Sequence, residues 1–313
     1  MADLFEMDLD SGMEFLDQKL NKKNDGLLRL DLKKAKDPKK GFKVVLRFLP
    51  NLMKSGKVGV AAIEKIISYV KLPEYPDLQG YYDSMKNFDP KCPIESLYWE
   101  LKNSKSAVDN EKATQITKSY KYYSYVQILE HELEPELVGK IMIFPFGKKI
   151  MEKIKMEKSG ELTGTQVNVY DPVKGKDFTC IVKEVGEFAN YDLSFFKQNS
   201  SPLYIPSKDG SLKQVPLTEE NGVLKIKPDF QEKVKEYLLN REFDLETHAP
   251  MRWNDETKDK VDKIISIMKN KPLNESKPKT STKNDDTLDF FNDDNDDTST
   301  DSDGGGDDDD LDF

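Results

Sequence analysis

The strongest constraint on this chain is the way its charge is divided along its length. The last 29 residues, Asp285 to Phe313, contain fourteen aspartates and no lysine, arginine or glutamate. Their only large hydrophobic side chains are Leu288, Phe290, Phe291, Leu311 and Phe313. Such a segment repels itself and holds too little apolar area to offset the entropy of ordering, so residues 285–313 are expected to form a disordered acidic tail. The first 17 residues add six acids and no base. The 313-residue chain sums to −10, yet residues 18–284 hold 48 basic and 38 acidic side chains, a net charge of +10. Only this middle can build a core, and it is basic. A basic body between acidic ends suggests a polyanion binder that carries its own polyanion mimic.

With 36 % hydrophobic and 10 % aromatic residues overall, the chain minus its two weak ends can fill one large or two small domains. No apolar run approaches the ~20 residues needed to cross a bilayer. The start, Met1-Ala2-Asp3-Leu4-Phe5-Glu6, lacks the basic opening of a secretory signal. No membrane partner and a cytoplasmic location are therefore expected, in the host cell if the source is viral. Cys92 and Cys180 lie far apart and read as reduced thiols. His131 and His248 are the only histidines, and no Cys/His spacing suits a zinc ion. Walker, GxSxG, HExxH and CxxC motifs are absent from the sequence. The chain reads as a protein that is not an enzyme, with no cofactor and no metal.

Periodicity predicts strands over 41–49 (GFKVVLRFL), 120–129 (YKYYSYVQIL) and 140–146 (KIMIFPF), and a hairpin of 166–170 with 177–187. Helices are predicted over 58–72, 94–101, 147–158, 230–240 and 257–269, the second opened by Pro93. The implied fold class is mixed β with helices, compatible with an OB-fold-like five-stranded barrel with helical insertions. The expected division is a flexible N-terminal arm over 1–26 and a core over 27–250 with a helical subdomain around 51–115. A C-terminal helix over 251–270, a linker over 271–284 and the tail follow.

Nine of the thirteen tyrosines fall between Tyr69 and Tyr125, interleaved with lysines. Rings and cations together suit single-stranded nucleic acid, because every base has a π-face and lysine follows phosphate. On the strand around 120–129, Tyr120, Tyr122, Ser124, Val126 and Ile128 share one face, and Lys121, Tyr123, Tyr125, Gln127 and Leu129 the other. One of these faces is expected to be wet or bound. Packing into a core is the alternative for each ring. Arg47, set among apolar neighbours, suits either a phosphate clamp or an edge-strand charge. Phe144-Pro145-Phe146-Gly147-Lys148-Lys149 ends a strand in aromatics and opens a helix in lysines, where free N–H groups could face phosphate.

These stretches resemble the single-stranded DNA-binding, helix-destabilising protein family of T-even-type tailed phages. The resemblance runs from about Leu27 to Phe196 and is carried by VVLRFLP (44–50), KCPI (91–94), the tyrosine strand, GKIMIFPFGKKI (139–150) and VGEFANYDLSFF (185–196). It implies an OB-fold core with a basic cleft for single strands. By position, Arg47 would contact phosphate, and Phe88, Tyr122, Tyr123, Phe144, Phe188 and Tyr191 would line the cleft beside Lys118, Lys121, Lys148 and Lys149. It further implies self-association along DNA through the arm, where Lys19, Lys22 and Lys23 are the basic cluster. The tail, with Leu288, Phe290, Phe291, Leu311 and Phe313 as anchors, would recruit replication and recombination proteins. The resemblance thus implies a role in viral DNA replication, recombination and repair.

Two departures stand out. The family's prototype holds zinc through one histidine and three cysteines, two of them as CPxC; here the motif reads Cys92-Pro93-Ile94-Glu95, and Tyr69–Lys91 has neither histidine nor cysteine. The subdomain is expected to pack without metal through Ile94, Leu97, Tyr98, Trp99 and Leu101. The arm also opens acidic (DLFEMDLDSGMEFLD) instead of basic. The competing readings are an acidic-tailed interaction scaffold or chaperone, and a single-stranded RNA-binding module, which shares the same chemistry.

Overall fold

A computed structural model describes residues 25–161, 164–186 and 188–269. The expected arm and tail, with Lys19, Lys22, Lys23, Leu288, Phe290, Phe291, Leu311 and Phe313, lie outside the described residues. The architecture is a large, mostly antiparallel sheet with two small two-stranded sheets and five α-helices among the described residues.

Strand β1 (Phe42–Phe48) sits at the centre of the large sheet, and its sequence FKVVLRF is buried on both faces from Val44 onward. It pairs antiparallel with β6 (Asp177–Val185) on one side and with β4 (Ile116–His131) on the other, with an irregularity between Val45 and Leu46. The sixteen-residue β4 also pairs through its first half with β2 (Ile63–Val70) and through Tyr122–Gln127 with β5 (Ile141–Phe146). β3 (Gly80–Asp83) extends the sheet beyond β2, and β7 (Phe188–Asn190) and β8 (Phe195–Phe196) pair with β6. Among the described residues the ladders run in the order β3-β2-β4-β1-β6-β7 without closing into a barrel. β9 (Tyr204–Pro206) with β10 (Leu212–Gln214), and β11 (Leu217–Glu220) with β12 (Val223–Ile226), form the small sheets.

The helices are α1 (Pro93–Lys102), α2 (Ala107–Ala113), α3 (Lys148–Ser159), α4 (Pro228–Leu239) and α5 (Asp255–Met268). Four of these match predicted segments within a few residues. α1 starts at Pro93, whose missing N–H costs nothing in a first turn. α3 ends at Gly160, whose φ of +74° lets the chain reverse in the left-handed region and donate to Glu157 and Met156 carbonyls.

Two predicted elements are corrected. The helix expected over 58–72 is strand β2: its Ile63, Ile67 and Val70 fit a helical stripe, but its β-branched residues also fit a sheet, and pairing with both β3 and β4 decides the outcome. Residues 166–170 are no strand. Val167 and Val169 are buried in a loop, and β6 takes β1, β7 and β8 as its partners instead.

Three apolar clusters result. The first lies on the even-numbered face of β4 and includes Leu46, Phe48, Tyr122, Val126, Phe144, Phe146, Ile150 and Phe178. The second joins α1 and α5 to the ends of β2 and β4 through Val70, Tyr82, Ile94, Leu97, Leu101, Ile116 and Ile264. The third lies on the odd-numbered face, where Leu203, Val215, Val234, Leu238 and Leu245 cover Leu49, Ile63, Tyr123, Tyr125 and Ile143. Trp99, expected in the helical packing, is instead 54 % exposed and meets Tyr98 edge-on at 5.1 Å. It sits at helical offset from the buried Ile94, Leu97 and Leu101, so it turns toward solvent.

Candidate nucleic-acid interface

β4 emerges from between its two cores at residues 117–121, and there its even-numbered face presents Lys118 and Tyr120. Tyr120 is half-buried against the rim of the first core. The Lys148 ammonium lies 4.2 Å from its ring centroid and that of Lys118 5.1 Å. Cation–π attraction of this kind contributes about 0.5–1 kcal/mol at exposed sites. Lys148 belongs to the first turn of α3, whose cap residue Gly147 has no side chain to occupy the free N–H groups. In the same turn Lys149 meets the Asp192 carboxylate at 3.0 Å, and one turn on Lys153 donates to the Asp192 carbonyl at 3.1 Å. Hydrogen bonds from Asn190 and then Lys149 hold the Asp192 carboxyl below the usual range. The start of α3 therefore bridges Tyr120 and the 190–192 loop. On that loop Tyr191 is half-buried against the first core beside Ala189 and Phe196. Beyond it, Phe188 is 44 % and Phe195 50 % exposed. The arrangement is a run of partly exposed rings bordered by ammonium groups. Stacked bases gain roughly 1–3 kcal/mol each on such rings, while lysines neutralise the backbone.

The structure thus brings Lys118, Lys148 and Lys149 together with Tyr191 on the facing loop, while Phe188 stays exposed at the start of β7 and Tyr122 lies in the first core, donating its hydroxyl to Glu64 at 3.0 Å. Of the other five expected residues, Arg47, Phe144, Tyr123 and Lys121 turn away from them. Arg47 has no exposed surface; its Nη2 donates to the carbonyls of Asp171 and Ser201 at 2.8 Å, its Nη1 to Ser201 Oγ at 3.1 Å, and Asp177 lies 3.5 Å away. Gly175 makes room for it, since a Cβ there would come within 2.5 Å of Nη2. Phe144 is core, 2 % exposed. Tyr123 lies on the odd-numbered face and stacks on His248 at 4.9 Å with an interplanar angle of 10°; burial pushes its hydroxyl up to about 12. Lys121 is three residues from Lys118 and so points to the opposite face, its ammonium 5.1 Å from the Tyr81 ring. Phe88 lies under Arg252, 4.8 Å from the guanidinium carbon, on the loop after β3. The expectation of one wet face along the whole strand is corrected too. From Tyr122 to Ile128 both faces are buried, because residues after 200 cover the odd-numbered side.

At residue 95 the side chain is already partnered. Glu95, in the first turn of α1, is buried, and its carboxylate accepts from Ser84 Oγ at 2.7 Å, Lys86 Nζ at 2.6 Å and Lys118 Nζ at 3.0 Å. Burial alone would raise its pKa, but bonds from Lys86, Ser84 and Lys118 outweigh this and lower it. A donor already held by two ammonium groups does not fit a metal cation, and among the described residues no group of three His, Cys, Asp or Glu side chains is arranged to hold one. Among the described residues, too, no helix is long and apolar enough to cross a membrane.

Sequence reasoning passed over Tyr120, Lys86, Glu95 and Lys153 as site residues. For Tyr120 the signal was present, because it shares the even-numbered face of β4 with Lys118 and Tyr122. For Lys86 and Glu95 nothing local brings a loop lysine onto a helix carboxylate.

Comparison with known proteins finds similar chains. The chain is 32 % identical over 143 residues to the single-stranded DNA-binding protein of Enterobacteria phage T4, covering 45 % of this chain and 44 % of that protein. It is 32 % identical over 143 residues to the single-stranded DNA-binding protein of Enterobacteria phage T2, covering 45 % of this chain and 43 % of that protein. The chain thus matches somewhat less than half the length of these curated relatives. The family described as gp32 DNA binding protein like matches residues 41–264, well past Phe196, where the resemblance read from motifs stops. Because that match takes in more than half of the chain, the chain belongs to the gp32-like DNA-binding protein family.

Proposed function

We propose that this protein binds single-stranded DNA without sequence preference, through the groove that runs past Tyr120. The observation that carries the reading is the half-buried Tyr120 ring beside the Lys118 and Lys148 ammonium groups, continued across the start of α3 to Tyr191 and Phe188. Bases stack on these rings and phosphates follow the lysines. Duplex DNA is already stacked and stiff, so it enters poorly, and binding shifts the melting equilibrium toward single strands. The sheet serves as an opened relative of the OB-type barrel, with the helical subdomain and the sheet edge as the two walls of the groove. We propose further that the protein protects and organises single strands in viral DNA replication, recombination and repair, in the host cytoplasm. In this reading Lys19, Lys22 and Lys23 support self-association along the strand. The acidic tail recruits replication and recombination proteins through Leu288, Phe290, Phe291, Leu311 and Phe313, and no metal is required.

The test is a titration of intrinsic tyrosine and tryptophan fluorescence with oligo-dT at two salt concentrations, repeated with oligo-rU. Quenching is expected, with affinity falling on a log–log salt slope of about −0.7 per phosphate contacted. Tyr120→Ala is expected to weaken binding by about 1–3 kcal/mol, the worth of one stacked base. Unquenched fluorescence and no salt-dependent binding would instead favour a scaffold whose tail is the active part. A clear preference for rU would reassign the strand to RNA.

A further inference from the structure

Lys118, already placed beside Tyr120, shares a carboxylate with a second lysine that the stacking argument does not use. Lys86, from the turn after β3, and Lys118, from β4, converge on the single carboxylate of Glu95, at 2.6 and 3.0 Å. Glu95 itself is sealed, its side chain 7 % exposed, while the two lysine side chains remain 37 % and 31 % exposed. Both lysine side chains thus meet the carboxylate while part of their surface stays open to solvent. Lys118 also stands 5.1 Å from the Tyr120 ring. Two cations on one anion leave an excess of positive charge at the open side. They present it next to the ring on which a base would stack.

We infer that Lys86 and Lys118 form a phosphate subsite beside the Tyr120 platform, in which the Glu95 carboxylate stands in for the strand's phosphate when no strand is bound. The inference rests on the single-strand reading above. Glu95 acts as a positioning residue with two opposed effects. It ties the turn after β3, α1 and β4 together, where Ser84 Oγ adds a third bond at 2.7 Å. It also competes with the incoming phosphate for both lysines, which keeps binding reversible.

The experiment compares the full chain with Glu95→Gln and Lys86→Ala, reading thermal midpoint and oligo-dT affinity across a salt series. Glu95→Gln is expected to lower the midpoint while tightening binding several-fold at low salt, because the carboxylate no longer competes with phosphate for the two lysines. A residue that served only the fold would lower midpoint and affinity together. Lys86→Ala, at a side chain exposed enough to leave the core intact, is expected to flatten the slope by about 0.7 and weaken binding. If Glu95→Gln fails to fold, the Lys86→Ala slope decides alone. Native protein that binds dT while Lys86→Ala leaves the slope unchanged overturns the subsite and spares the single-strand reading. Native protein that does not bind dT overturns that reading first.

Discussion

Arg47 illustrates how far one side chain's fate depends on what surrounds it. Its guanidinium is enclosed by Asp171, Gly175, Asp177 and Ser201, and Asp177 in turn accepts from Ser201 Oγ at 2.9 Å and the Tyr204 hydroxyl at 3.2 Å. The arginine joins β1, the start of β6 and the segment after β8. Removing it would leave Asp177, 3 % exposed, with only the half-exposed Lys197 ammonium, 3.5 Å away, as countercharge. Arg47→Ala is therefore expected to cost about 3–5 kcal/mol of stability in a urea titration, the usual penalty for breaking a buried pair. Well below the transition, its dT affinity should stay close to that of the native protein. An affinity loss with unchanged stability would return Arg47 to the phosphate role that the family resemblance implies.

At the scale of the element, β4 places alternate lysines in opposite electrostatic settings. On the even-numbered face Lys118 is partly desolvated, but its bonds to Tyr120 and Glu95 outweigh this and raise its pKa. On the odd-numbered face Lys121 is desolvated and faces Lys65, and its pKa is lowered to about 8. The sign follows from proton counting. Between about pH 8 and the unfolded value near 10.4, the unfolded chain holds a proton at Lys121 that the folded chain has released. This group's contribution to stability is fully present above that upper value and is lost as pH falls through 8. Chemical denaturation across pH 8–10.4 should show stability rising more steeply for the native protein than for Lys121→Met. Equal slopes would mean that Lys121 is solvated.

For the whole molecule, the decisive feature is the cover over the odd-numbered face. Tyr125 donates its hydroxyl to the Phe243 carbonyl at 3.1 Å and accepts from the Leu245 N–H at 2.7 Å, and Gln127 donates to the Tyr204 carbonyl at 3.1 Å and the Tyr237 hydroxyl at 2.6 Å. A chain cut after Phe196 would uncover Leu49, Ile63, Tyr123, Tyr125 and Ile143, each worth about 1.5–3 kcal/mol if fully buried. The fragment 25–196 is expected to bind a hydrophobic dye and melt without a sharp transition, whereas 25–269 should melt cooperatively. A sharp melt of the shorter fragment at the same temperature would make the third core dispensable.

The amino-acid sequence by itself determined which stretches could form a core, most helices, the central strands and the division of β4 into two faces. Those follow from composition and from periods of 3.6 and 2, which are local properties. It did not determine what covers each face. Tyr122 and Tyr123 look alike in the sequence, yet one stacks on Phe146 in the first core and the other lies under His248. Only the tertiary structure decided that, because their covers come from residues more than a hundred positions away in the case of Tyr123 and Tyr125. The same holds for Val58–Leu72, whose pattern admits helix and strand alike until two neighbouring strands offer their hydrogen bonds. It holds again for Arg47 and Glu95, where burial sets the need for a partner and the fold alone supplies one.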